Sequence, residues 1–182
     1  MSVKLSTWVA MGVAAGLILA ACQAAATPTP APVAAVNLFV MADTVIGPKN
    51  LTEEEKAAGG SCVQKNIFAK NEQIVWRVRV SDPATGAAMD DQALSSVVVV
   101  LPDQQLDLSY RPHPRDNPLD YFWTVSFTPP ATYPSGLLPY TIQATAADGR
   151  TGTFNQFAIA AAQLKVTDEV RPEIAPTPSP TP

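Results

Sequence analysis

The chain has 182 residues, of which 47% are hydrophobic and only 15% charged, with a net charge of −4 and two cysteines. That suffices for one folded domain and is cramped for two. The acidic balance argues against nucleic acid as a partner and against attraction to anionic lipid, and two cysteines make neither a disulfide framework nor a C-x-x-C metal site.

Residues 1–7 (MSVKLST) are polar and carry one positive charge, Lys4. Trp8 to Leu19 then runs without charge or proline, shorter than the ~20 apolar residues that span a bilayer and close to a signal-peptide core. The run ends in Leu19-Ala20-Ala21-Cys22. This stretch resembles the lipobox of bacterial lipoproteins: a leucine, two small residues and a cysteine behind a basic start and an apolar core. The resemblance implies diacylglyceryl transfer to the Cys22 sulfur and cleavage between Ala21 and Cys22. The resulting palmitate-type acyl chains, two or three of them, hold a protein at a membrane where one does not. Gln23 follows rather than Asp, so in a double-membraned cell the resemblance gives no inner-membrane retention signal. A second reading stays open, an uncleaved anchor over Trp8–Ala26. Both readings place the rest of the chain outside the cytoplasmic membrane, facing the periplasm or the exterior, on either the cell membrane or the outer membrane. Set aside residues 1–21 and eleven basic residues face sixteen acidic ones, a net of −5.

Four segments are expected: a signal peptide (1–21), a lipidated Cys22 with a Pro/Thr/Ala stalk (22–35), a β-domain (36–168) and a Pro-rich disordered tail (169–182). The thirteen residues Gln23–Ala35, with Pro28, Pro30 and Pro32, cannot build a core. As polyproline II they reach roughly 40 Å, enough to lift a domain off a membrane. Arg171–Pro182 (RPEIAPTPSPTP) repeats that chemistry at the other end.

Between Val36 and Asp168, short alternating apolar runs are broken by turn residues. Val36–Val45 reads as the first strand. Thr52–Ala58 is the one helix expected: Thr52 and Glu55 have capping-box spacing, Glu53, Glu54 and Glu55 suit the helix dipole, and Gly59-Gly60 stops it. Ile74, Trp76, Val78 and Val80 share the buried face of the next strand, and "DPATG" (82–86) turns it. The β-branched run Val97–Leu101 predicts a strand buried on both faces. Leu106, Leu108 and Tyr110 predict one short strand. Tyr121, Trp123, Val125 and Phe127 share a face of another, and Leu138, Tyr140, Ile142 and Ala144 of a third, which ends at Asp148-Gly149. Thr153–Val166 supplies the last strand or pair. About seven strands in about 130 residues is the rhythm of a sandwich. The inward Trp76 and the late "LPYTIQATAADGRTG" (138–152) resemble an immunoglobulin-like or fibronectin-III-like domain of bacterial surface proteins. The fold class expected is therefore all-β, an immunoglobulin-like sandwich. That fold hosts many functions.

Candidates for chemistry are few. His113, the only histidine, sits between prolines in "YRPHPRDNPLD" (110–120), a stiff loop. With Cys22 lipidated, Cys62 has no intrachain partner and is expected as a buried structural thiol. The sharper alternative gathers Cys62, His113 and Met41 or Met89 into a soft-ligand copper or redox site. A blue-copper spacing is absent, since His113 lies 51 residues beyond Cys62. Asp103, Asp107, Asp116, Asn117 and Asp120 fall in loops that suit calcium if they share one end of the sandwich. Tyr121 and Trp123 are expected in the core, with Phe122 alone on the opposite face. Asn50-Leu51-Thr52 matches a glycosylation acceptor, uninformative in a bacterial setting. Gly-rich phosphate loops, Gly-x-Ser-x-Gly and His-Glu-x-x-His are missing from the sequence. The composite expectation is a non-enzymatic lipoprotein whose sandwich serves as a binding or accessory subunit of an envelope complex, held to the membrane by its lipid and met by a protein partner. Recognition is expected in loops 47–72 and 110–120.

Overall fold

The computed structural model describes residues 37–113 and 118–174. Cys22, the lipobox and the stalk lie outside these residues, as do Asp116 and Asn117. Two four-stranded antiparallel sheets form the sandwich. The first has the order β1-β3-β7-β6, from Phe39–Ile46, Ile74–Ser81, Asp120–Phe127 and Ser109–His113. The second has the order β10-β9-β4-β5, from Thr151–Asn155, Thr141–Ala146, Leu94–Val100 and Gln105–Asp107. The pairs β1–β3, β3–β7 and β4–β9 join distant parts of the chain, while β6–β7, β9–β10 and β4–β5 join consecutive strands, and the all-β sandwich that the strand rhythm predicted is formed.

The inward rows close on one core. Ile74, Trp76, Val78 and Val80 are all at most 2% exposed. Leu138, Tyr140, Ile142 and Ala144 face them from the second sheet and are buried too. Trp76 meets Tyr140 edge to face at 5.8 Å. Burial, with Asp43 adding, pushes the Tyr140 hydroxyl up to about 12, so it stays neutral at any physiological pH. Val97, Val98, Val99 and Leu101 are all buried, so the β-branched run is covered on both sides as expected.

Local signals hold where they rest on backbone chemistry. Helix α1 spans Glu53–Ala57, with both halves of the Thr52/Glu55 capping box formed. In "DPATG", Asp82 accepts from the Ala84 amide at 2.8 Å and its carbonyl from the Gly86 amide at 2.7 Å, with Gly86 at φ 73°.

Two expectations fail on tertiary grounds. Leu106, Leu108 and Tyr110 do not share a strand. The chain changes sheets at Leu108, whose amide bonds to Val97, so β5 and β6 belong to opposite sheets. Thr153–Val166 supplies a pair, one of the two readings its sequence allowed: β10 is followed by a 3-10 turn (Ala160–Ala162) and by β11, Lys165–Val170. β11 builds a third sheet that the sequence did not announce, between β2 (Ile67–Lys70) and β8 (Gly136–Leu137). The domain boundary at Asp168 is therefore too early, because β11 runs to Val170 and Arg171 is bonded into the fold.

The turn of β3 and the turn of β9–β10 are tied by Arg150, which donates to Asp82 and to Asp148, each at 2.8 Å. The Arg150 side chain, then the Ala84 amide, hold Asp82 below its usual range; the Arg150 amide, then its side chain, do the same for Asp148. Groups with depressed folded pKa values contribute stability above their unfolded pKa, near 4, and lose it as pH falls through the folded value. Wild-type protein should therefore lose thermal stability between pH 5 and pH 2.5, and Asp82→Asn should flatten that loss. The midpoint of a circular-dichroism melt at each pH checks it.

Candidate functional site

A slot opens in the first sheet, and the strand register explains it. β3 pairs with β1 along its whole length, from Ile74↔Ile46 to Ser81↔Phe39. Its pairing with β7 stops at Val78↔Trp123. Beyond that point the free edge of β3 is taken by the chain folding back after the "DPATG" turn: Met89 donates to Val80 at 2.8 Å and Ala88 bridges Ser81. The start of β7, residues 120–122, is left paired only with β6. Between the fold-back and β7 lies a cavity of about 290 Å³.

Its walls are aromatic and thioether groups. Tyr110 and Trp123 sit opposite each other on β6 and β7, ring centroids 5.4 Å apart, and Tyr121 stacks on Tyr110 at 5.5 Å. Met41 and Met89 line the same cavity. The Trp123 indole donates to the Met89 carbonyl at 2.9 Å, which fixes the floor. At the mouth Arg79 is ion-paired with Asp120 and lies over the Phe122 ring, 4.4 Å from its centroid. Met41 and Tyr121 of the lining are exposed, Tyr121 by 45%, and so are Phe39, which pairs with the lining residue Ser81, and Leu119, which precedes the lining residue Asp120 and is 83% exposed. Tyr121 is thus not the core residue its spacing suggested. It lies on the same strand face as Trp123, but none of the described residues buries it at this end of the sandwich. Phe122 does lie on the opposite face, among Arg77, Arg79 and His113.

Burial, then the carboxylates of Asp90 and Asp91, lift the Tyr110 hydroxyl above its ordinary value, and Arg79 opposes them without prevailing. Arg79 is already matched by Asp120. Among the described residues no cation pairs with Asp90 or Asp91.

A larger cleft of about 700 Å³ lies between α1, β2 and β11. Its charges are spent on one another: Lys65 and Arg171 both bond Glu72, and Arg171 also bonds Glu55. This reads as a structural knot. No known protein family model matches the chain, and no curated protein is significantly similar to it.

The other sequence candidates are not brought together. Met41 and Met89 share the slot, but His113 does not line it. Met41 is on β1 and His113 on β6, three strand spacings away, or about 14 Å. Ligands of one ion lie within a few ångströms of it. Cys62 lies beyond the other edge, on a segment running along β1: its amide bonds to Ile46 at 2.8 Å, and the Ile46 amide to Val63 at 3.0 Å. The expectation of a buried thiol is wrong. Those backbone bonds hold Cys62 at φ 65°, with the residue exposed. The acidic set also disperses. Asp103 follows β4 and accepts from Tyr133, Asp107 ends β5 in the second sheet, and Asp120 is held by Arg79 in the first. Among the described residues no group of three or more His, Cys, Asp or Glu is placed to hold a metal.

The slot itself was missed by the sequence reading. Its signal was present in the strand that Tyr121 and Trp123 share and in the turn before Met89, but nothing in periodicity says that a fold-back will displace β7 from β3.

Proposed function

We propose that this chain is a lipid-anchored extracytoplasmic protein whose immunoglobulin-like domain is a non-enzymatic binding module, and that the slot is its recognition site. The observation that carries this reading is a small aromatic-walled cavity with Met41 and Tyr121 exposed in its lining and exposed Phe39 and Leu119 beside lining residues. A buried anchor pocket surrounded by apolar contacts that exclude water is how a protein surface concentrates binding energy. The side chains that gather there offer contact and hydrogen bonds; no nucleophile–base pair is among them. The anchor rests on Leu19-Ala20-Ala21-Cys22 and its resemblance to a lipobox. β1 begins at Phe39, opposite Ser81, so the domain is entered at the same end that bears the slot.

Two measurements test the two halves. The mass of the mature chain should correspond to residue 22 onward plus a diacylglyceryl group, with or without an N-acyl chain; a chain retaining residues 1–21 overturns the anchor. A photo-crosslinking residue at position 119, in cells of the native host, should give one discrete adduct, while the same residue at Gln105 on β5 gives none. Equal adducts at both positions, or none at 119, overturn the slot as the recognition site.

A further inference from the structure

We infer that the slot takes a cationic side chain, a lysine or arginine presented by a protein partner. This rests on the binding-module reading above and names the chemistry of what that module holds. Three observations on different elements converge. The first is the wall: the row Trp123–Tyr110–Tyr121 offers ring faces, and the outermost ring, Tyr121, is open to solvent. Ring faces carry negative quadrupole potential and attract ammonium and guanidinium groups placed over them. The second is charge. Among the described residues Asp90 and Asp91 have no cationic partner, although Asp90 accepts from the Gln92 and Ala93 amides, and their charge reaches Tyr110, whereas Arg79, a cation in the described lining, is neutralised by Asp120. An anionic ligand would be repelled by those carboxylates, and a neutral one would gain nothing from them. The third is the apolar lining. Met41 and Met89 line the same cavity of about 290 Å³ as the rings, which has room for one long side chain. Thioethers pack well against an alkyl stem, and a long basic side chain buries its methylenes while its head seeks the polar end.

The protein itself shows the preferred partner chemistry at this location. Arg79 lies over Phe122 at 4.4 Å, with Arg77 at 5.5 Å from the same ring, so the outer face of the sheet already satisfies its aromatic with cations from within the chain. On the slot side the rings have no such partner among the described residues. The rim of exposed Phe39, Met41 and Leu119 favours a side chain carried on a protein surface over a free solvated amine, because those residues contact nothing when only the head group binds.

The test uses the full chain in detergent micelles. The ring resonances of Tyr110, Tyr121 and Trp123 are followed by NMR during titration with three capped pentapeptides, Ala-Ala-X-Ala-Ala, with X lysine, norleucine or glutamate. Lysine should give saturable shifts and bind at least about fivefold more tightly than norleucine, the difference that a cation–ring contact with a nearby carboxylate supplies. Asp91→Asn should weaken lysine binding about threefold and leave norleucine unchanged, and Tyr121→Leu should weaken lysine more than Tyr121→Phe does. Free methylamine should bind more weakly than the lysine peptide. Norleucine binding as tightly as lysine overturns the cationic ligand while leaving the slot as a recognition site. Glutamate binding best, methylamine matching the peptide, or no ring responding to any probe each overturns the inference, and in every case the crosslinking at position 119 separately decides the binding-module reading.

Discussion

Glu72→Ala is expected to destabilise the domain by about 3 kcal/mol, with urea denaturation reporting the loss as a lower midpoint at unchanged slope. Glu72 is a carboxylate only 1% exposed, in the turn between β2 and β3. Such a group is tolerated only when its charge and lone pairs are all answered. Here Lys65 donates to both oxygens at 2.7 Å, the Ala69 amide at 2.9 Å and Arg171 at 3.2 Å. Arg171 in turn bonds the Asn50 carbonyl at 2.6 Å and the Glu55 carboxylate, and the Asn50 amide donates to Asn71 at 2.7 Å. One buried carboxylate therefore joins the β2–β3 turn, the loop before α1 and the end of β11. Removing it leaves two cations facing a cleft. The loss sits at the low end of the 3–5 kcal/mol typical of a broken buried pair, because the Lys65 side chain is 36% exposed and can turn to water, while Arg171 keeps Glu55. Glu72→Gln retains the shape and one acceptor and should cost about half as much. A double-mutant cycle with Arg171→Ala should return a coupling of about 1–2 kcal/mol; a cycle that closes at zero would mean that Glu72 and Arg171 act independently.

This knot also shows which parts of the structure the sequence carried and which it did not. Short-range chemistry was legible. Thr52 and Glu55 are three residues apart and form their capping box, "DPATG" turns as its residues require, and the period-two rows of β3 and β9 fall inward. Each of those signals is complete within a few residues. Glu72 reads in "AKNEQ" as an ordinary polar turn residue, because its partner Arg171 is 99 positions away. The same distance problem hid the third sheet: β2 and β11 pair in parallel, Ile67 beside Lys165, and neither segment is apolar enough to declare itself alone. Arg171 looked like the first residue of a Pro-rich tail because its own neighbours are Pro172 and Glu173, whereas its role is set by what lies across the domain. The slot belongs to this class. Tyr110, Tyr121 and Trp123 were visible as strand residues, yet their exposure depends on where β3 lets go of β7, and that is fixed by the length of the loop that ends at Met89.

The second large effect lies in the core. Trp76→Ala should cost about 3–5 kcal/mol, the usual penalty for deleting a large buried ring and leaving a void. Trp76 is 0% exposed in the middle of β3, between the two sheets, where Tyr140 meets it edge to face. Strands packed on both sides cannot collapse into the space without losing their pairing with β1 and β7. Trp76→Phe should behave differently. Among the described residues the indole nitrogen is buried without a hydrogen-bond partner, whereas the other inward tryptophan, Trp123, has the Met89 carbonyl. An orphaned buried donor costs about 1–3 kcal/mol, so phenylalanine recovers that cost while giving up part of the ring volume. The two terms nearly cancel, and Trp76→Phe should fall within about 1 kcal/mol of the wild type. Urea titrations of the three proteins, followed through the remaining Trp123 fluorescence and by circular dichroism, separate the contributions. If Trp76→Phe loses as much as Trp76→Ala, the ring's full shape matters and the orphaned donor costs nothing. If Trp76→Phe matches the wild type while Trp76→Ala falls by the full amount, the core needs a filled ring at this position and the unpaired nitrogen is a penalty the native sequence carries.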